Sequence, residues 1–452
     1  MEALHKKIIS LMNKLFFIFS LILLNISYSQ YSIGFDYLTT ENGLSQSDVN
    51  TIFQDDNLFM WFGTHDGLNK YDGYNFTVYK PDSKNPKSIS SNLIWKIIDD
   101  SKGNLWIGTT GGGLNYFDIT TEEFKSFRSD SKNPHSLKND QIRVLFRDSR
   151  NRLWVGNAEG IDMADLSKPI DSLKFEHFNL YQNSSEPTKN KNNISTVYED
   201  SKRQVWFGGI NGLSKLSRDK NGDIYFHNVN AQINLPILNV KTIIEDNYGN
   251  LILGTNNGLY RFVNDNETEF IELIYEGNYN TVSISNNKIW AGTENGLLEF
   301  NITSKIKKPK LTSVYKYDPK KPSFSLSKNA VKSLFIEHTG IVWVGTNGGG
   351  VNKIDPNKKQ FLHIKNSLSP SSLSNDKVRS IFEDSNQNIW IGTEGGGLNF
   401  LHKEKNDKNF NEFKHITTLS KIFALEEIQL KNSKKLLLGG EGTPCMQIHL
   451  AN

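Results

Sequence analysis

The chain has 452 residues, 37% of them hydrophobic and 11% aromatic, with a formal net charge of +3. That length permits two to three domains, the aromatic share suits stacked sheets better than helix bundles, and the near-balanced charge argues against a dedicated nucleic-acid surface. A single cysteine, Cys445, excludes an internal disulfide and fits either cytoplasm or periplasm.

The N-terminus chooses between those compartments. Lys6, Lys7 and Lys14 precede the apolar run "LFFIFSLILL" (15–24), and "SYS" supplies a small-x-small cleavage site before Gln30. This is the pattern of a secretory signal peptide over residues 1–29, too short for a comfortable membrane span. Met12 opens a complete signal by itself and is an alternative start. The mature chain is expected to be exported to the periplasm.

Next comes "GFDYLTT" (34–40), an alternating segment of outer-strand type, and after it a unit that recurs to the end of the chain. Its clearest copy is "GNLWIGTTGGGLNYFD" (103–118). The Trp position is held by Trp61, Trp106, Trp154, Trp206, Ile252, Trp290, Trp343, Trp390 and Leu437. A period of about 45 residues with aromatic and glycine punctuation signals a propeller or solenoid. The second unit shows the plan: "LIWKIID" (93–99) as inner strand, "DSKGN" as turn, "LWIGT" as second strand, the glycines as turn, "LNYFD" as third strand and "EFKSFR" (123–128) as outer strand. Four strands per unit is a propeller blade. The three glycines invite a phosphate-loop reading, but no Lys-Ser/Thr follows them, so they are assigned to the architecture.

The fold class expected is therefore all-β, a seven-bladed β-propeller of four-stranded blades followed by the start of a second, incomplete propeller. Residues 30–357 make the first ring. "GFDYLTT" completes its last blade and leaves no open edge. Residues 358–452 are the first blades of a second ring, opened by "FLHIKN" (361–366), and after Gly442 the repeat pattern breaks at "TPCMQIHLAN". The chain thus reads as a fragment, or a frame-shifted copy, of something longer.

On "D-x-x-G-x-LWIGT-x-GGGL-x-x-[YF]D", with "SLSNDKV" (372–378) leading into the next blade, the sequence resembles the two-component regulator propeller family across residues 34–440. The resemblance implies paired periplasmic propellers that sense oligosaccharides. In that family an immunoglobulin-like domain, a transmembrane helix and a cytoplasmic histidine kinase follow. This chain has no phospho-acceptor His box or ATP-binding glycine box, so any kinase activity belongs to a longer parent. The missing propeller, membrane and kinase regions of that parent are the implied partners, and a second copy of the chain is admitted as another.

No catalytic set stands out. The adjacent carboxylates Asp55-Asp56 and Asp99-Asp100 belong to a series of turn starters that includes Asp148, Asp200, Asp246 and Asp384. The histidines lack metal-ligand spacing, and His65 in a blade turn is the one worth inspecting. No enzyme activity, cofactor or metal is expected. One position does stand out: eleven residues before the Trp lie Asn50, Trp95, Arg143, Ser195, Lys241, Lys332 and Arg379, each after an apolar residue. The sixth blade is out of register and is left aside. These residues are expected to ring one mouth, with Trp95, Arg143, Lys241 and Lys332, and Arg379 if its blade joins the ring, binding an anionic oligosaccharide by stacking and charge. The plain alternative is that they solvate the rim and pair with neighbouring carboxylates. A secreted propeller lyase or glycosidase, or a protein-docking scaffold, are the rival readings of the whole chain.

Overall fold

Each repeat closes into one antiparallel sheet because its apolar residues alternate along the strands and its turns carry Asp, Asn and Gly. The computed structural model describes residues 34–450 apart from 158, 181–192, 231, 234–237, 265–268, 306, 357, 359–363, 368, 370, 403–412, 417–419, 431–432 and 442–445. The signal peptide expected over 1–29 lies outside the described residues, as does the first half of "FLHIKN". The chain divides into two compact units, Met1–Lys358 and Lys359–Asn452.

In the first unit the described residues form seven four-stranded sheets. Taken in chain order as sheets 1 to 7, their inner strands are Val49–Gln54, Ile94–Asp99, Val144–Arg147, Ile194–Glu199, Val240–Glu245, Tyr279–Ser285 and Val331–Ile336. Each inner strand lies against the next, and that of sheet 7 lies against that of sheet 1. The outer strand of sheet 7 is Phe35–Leu38, which pairs antiparallel with Val351–Ile354 in the register Phe35↔Ile354 to Leu38↔Val351. In sheet 2 the strands Leu105–Thr109 and Leu114–Asp118 match the sequence reading, with Ile94–Asp99 inside and Glu123–Phe127 outside.

The core lies between sheets. Trp61 packs against Ile94, Ile97, Leu105 and Phe117 of sheet 2, and Trp106 against Leu145, Val155 and Phe175 of sheet 3. Trp343 of sheet 7 packs against Val49, Ile52 and Phe62 of sheet 1. Ile252 fills the same place at lower volume, against Tyr279, Ile289 and Phe300. The glycine two residues after the Trp permits this approach. A Cβ on Gly63 would come within 2.6 Å of both Thr51 and Ile94, and one on Gly254 within 2.5 Å of Thr242, distances no real Cβ tolerates without displacement.

The Asp that opens several of the inner turns does more than turn the chain. Asp200 accepts from the Lys202 and Gln204 backbone N–H groups at 3.0 and 2.8 Å, and its other oxygen accepts from the Trp206 indole at 2.8 Å. Asp55 and Trp61, and Asp148 and Trp154, repeat the arrangement at 2.7 and 2.9 Å. The neighbouring residues latch consecutive sheets together. Glu199 accepts from the Ser149 backbone N–H and hydroxyl, both at 2.7 Å, and Glu245 does the same for Ser201.

The second unit holds a four-stranded sheet beginning at Val378–Glu383 and a three-stranded sheet of Ile422–Leu430, Ser433–Gly440 and Met446–Leu450. The sequence pattern breaks after Gly442, yet Met446–Leu450 still pairs with the preceding strand, Leu438↔Met446 to Lys434↔Leu450. Its Met-x-Ile-x-Leu alternation, with Met446 and Ile448 packed against the Trp390 cluster, outweighs the missing turn motif.

Candidate functional site

The three glycines of the opening motif hold no ligand groups in reserve. Asp140 O accepts from the N–H groups of Gly111 and Gly113 at 3.0 and 3.1 Å, and the Ser90 hydroxyl donates to Gly112 O at 2.7 Å. Gly111 and Gly113 have φ of 77° and 72°, and a Cβ on Gly113 would stand 2.2 Å from Phe127 O. The chain's own linker fills the place a phosphate would need.

The position eleven residues before the Trp turns out to be a β-bulge. The ladder between inner and second strand skips one residue between Val49 and Thr51, Ile94 and Lys96, Ile194 and Thr196, Val240 and Thr242, and Val331 and Ser333. The skipped residues are Asn50, Trp95, Ser195, Lys241 and Lys332. A bulge turns its extra side chain away from the sheet's alternation, which explains why polar residues are tolerated after an invariably apolar one. Arg143 precedes its strand, and its N–H donates to Gly156 O at 3.1 Å. Sheet 6 skips Asn280. There the inner hairpin is a tight turn through Asn286 and Asn287, both at positive φ, and this shorter connection shifts the count by one. Arg379 sits on the equivalent bulge of the second unit, apart from the first ring, and is ion-paired with Glu394.

Around the first ring these residues join into local networks. The Arg143 guanidinium lies over the Trp95 ring at 5.5 Å, and the His65 ring sits 6.2 Å from the same indole. His65 Nδ1 is 3.6 Å from Asp48 Oδ2, and Lys332 Nζ is 3.9 Å from Asp48 Oδ1. Sheets 7, 1, 2 and 3 are thereby linked through Lys332, Asp48, His65, Trp95 and Arg143. On the other side, Lys241 Nζ donates to Asn278 and Asn280 at 2.8 and 3.0 Å, and Asn280 donates to Glu294 at 2.7 Å. Burial pushes the Lys241 ammonium below its ordinary value, partly offset by Glu294.

The Trp95 side of the mouth is under-satisfied. Asp48 Oδ1, Asn50 Oδ1, His65 Nε2, Trp95 Nε1 and Thr110 Oγ1 are buried atoms without a hydrogen-bond partner. A buried group without a partner costs about 1–3 kcal/mol, and these five come from sheets 1 and 2 and the segments flanking their strands. The sequence reading found the cations but missed Asp48 and the carboxylates of the strand 2–3 turns, such as Glu294 and Asp66. Lys332 therefore faces a carboxylate, whereas Arg143 has no ion-pair partner among the described residues.

Comparison with known proteins places this architecture. Residues 88–111, 136–159 and 372–395 match the two-component regulator propeller family. A 73-residue stretch is 38% identical to "Histidine kinase P4" of Formosa agariphila, covering 16% of this chain and 5% of that protein. Among solved structures, an extracellular domain ascribed to a hybrid two component system of B. thetaiotaomicron aligns with a TM-score of 0.63 at 24% identity over 93% of this chain and 59% of that one. A second extracellular domain from the same organism aligns at a TM-score of 0.57 and 18% identity, over 92% of this chain and 58% of its own. The chain thus spans less than two thirds of these two extracellular domains and about a twentieth of the histidine kinase. The recurrence of the Trp-Gly unit and the four-stranded sheets together mark an all-β fold of propeller type, and its three matched segments are two-component regulator propeller repeats.

Proposed function

We propose that the chain is the ligand-sensing propeller region of a two-component signalling protein, exported to the periplasm, which binds an oligosaccharide and passes a conformational signal to a kinase carried by a longer parent. In this reading residues 30–357 are one closed seven-bladed ring and residues 358–452 the opening blades of a second. The likeness to extracellular domains ascribed to hybrid two component systems supports the sensor role. The seven sheets in cyclic contact support the ring. The observation that carries the ligand class is the Trp95 cluster. An indole with a guanidinium over it and an imidazole beside it, next to unsatisfied polar atoms, offers the mixture of flat apolar surface and hydrogen-bonding groups that saccharides engage.

Titrating neutral, uronate-containing and sulfated oligosaccharides against the full chain tests the reading. Charged oligosaccharides should bind more tightly, and their binding should weaken as salt is raised. Trp95→Ala should cost about 1–3 kcal/mol of binding free energy through lost burial and stacking. Normal binding by Trp95→Ala, or equal affinity for neutral and charged sugars, would overturn this assignment of the site.

A further inference from the structure

Directly after the bulge, each inner strand of the first unit places one residue opposite the motif glycine. These residues are Thr51, Lys96, Val144, Thr196, Thr242, Thr281 and Ser333, paired with Gly63, Gly108, Gly156, Gly208, Gly254, Gly292 and Gly345. All are short except Lys96. Short side chains fit because the inner strands converge here. A lysine is too long for that place unless its chain runs on to solvent.

Lys96 does so. Its side chain is exposed, yet it is enclosed by enough protein that desolvation pushes its ammonium well below the ordinary lysine value. Exposure with enclosure is the condition of a group in a narrow solvent-filled passage. No carboxylate offsets that desolvation, and Lys96 has neither ion pair nor hydrogen bond among the described residues. Its neighbour in the next sheet, Arg143, is also exposed, lies over the adjoining Trp95 indole, and likewise lacks a carboxylate. Trp95 Nε1 adds an N–H without an acceptor. Sheets 2 and 3 therefore carry three donors, two of them cationic, on the consecutive residues Trp95 and Lys96 and on the Arg143 that lies over Trp95, with no acceptor among their partners. By contrast, Lys332 has Asp48 and Lys241 has two asparagine oxygens.

We propose that Lys96, next to Trp95 in the strand, and Arg143, over its indole, form an oxyanion site, taking a sulfate or carboxylate group. An oxyanion supplies the acceptors that all three donors lack, and charge-assisted bonds in a partly enclosed site are the strong ones. The group is either free or carried on a saccharide, and only the second source rests on the function proposed above.

The test uses the full chain and two probes, free sulfate and a sulfated disaccharide, with chloride at matched ionic strength as reference. An exposed lysine amine is open to amine-selective reagents, so modification of Lys96 is followed by peptide mass spectrometry. Sulfate should slow that modification several-fold over chloride, and Arg143→Gln should abolish the protection. Lys96→Thr reproduces the residue of four other sheets and should fold normally. It should reduce the preference for sulfated over unsulfated disaccharide by about tenfold. Protection by the disaccharide at lower concentration than free sulfate assigns the group to a saccharide; equal concentrations assign it to a free oxyanion, and both results support the site. If sulfate gives no protection beyond chloride, or Arg143→Gln leaves protection intact, the proposal falls. Saccharide binding without protection of Lys96 would sink this site while leaving the sensor reading standing, and protection by sulfate with no saccharide bound would do the reverse.

Discussion

Sheets 2 and 4 carry the same inner turn and resolve it differently. In sheet 4 one oxygen of Asp200 closes the loop and the other holds the Trp206 indole. In sheet 2 Asp100 closes its loop in the same way, through Lys102 and Asn104, but its second oxygen accepts from Asn104 Nδ2 and the Tyr116 hydroxyl at 3.0 and 2.9 Å. The Trp106 indole N–H is left without a partner. The second unit identifies which competitor matters. Asp384 accepts from both Asn388 Nδ2 and Trp390, and the residue opposite Trp390 is Phe400, where Tyr116 stands opposite Trp106. The loop role of the aspartate is constant; its indole role yields to a hydroxyl that reaches the same oxygen.

The sharpest way to break this comparison is Asp200→Ala, which orphans two backbone N–H groups and a buried indole at once. It should cost about 3 kcal/mol or more in urea unfolding. A loss below about 1 kcal/mol would show that the turn holds itself without the carboxylate. Tyr116→Phe should be much milder, within about 1 kcal/mol of wild type, because the freed Asp100 oxygen can then take the Trp106 N–H. A loss as large as that of Asp200→Ala would mean the indole cannot reach the carboxylate.

The smallest effect belongs to a third pair of sheets. Asn115 is buried in sheet 2 and accepts from the Ser90 N–H, while sheet 3 has Asp162 in that role, accepting from Lys138 N–H and bonded to His177 Nδ1 at 2.7 Å. Burial raises the Asp162 carboxyl above its ordinary value, against the hydrogen bonds from Lys138 and His177. A raised folded-state value means that the folded chain binds more protons than the unfolded one between the two values. The contribution to stability should therefore decline as pH rises from about 4 to the raised value, then stay level. Asp162→Asn should remove that slope in unfolding curves taken across the acid range; a persisting slope would assign it to another group.

Much of this was legible in the sequence. The beat of tryptophans, the strand boundaries of sheet 2 and the outer-strand character of Phe35–Leu38 follow from local pattern. Aligning on the Trp even picked out the bulge residues, although nothing in the letters says that Trp95 occupies a bulge. The sixth repeat hid Asn280 because its Asn286-Asn287 turn is shorter than the Asp turns elsewhere. The second role of Asp55 and Asp200 was invisible because it depends on which oxygen faces the indole across the hairpin. Lys96 was passed over for the opposite reason: in one dimension a lysine in a strand reads as a solvated face, and only the strand register sets it opposite the motif glycine with its six short counterparts.

The pairing of Phe35 with Ile354 also has a consequence for the order of events during synthesis. The first described strand joins the seventh sheet, so its backbone donors must wait for nearly the whole first unit to emerge before they find their acceptors. The final step is a contact of very high sequence separation, the kind whose loop-closure entropy slows folding most. Until then the N-terminal strand and the edge of sheet 7 are both open to pairing with other chains. Ring formation should accordingly be the slow phase of refolding, and the one most sensitive to protein concentration.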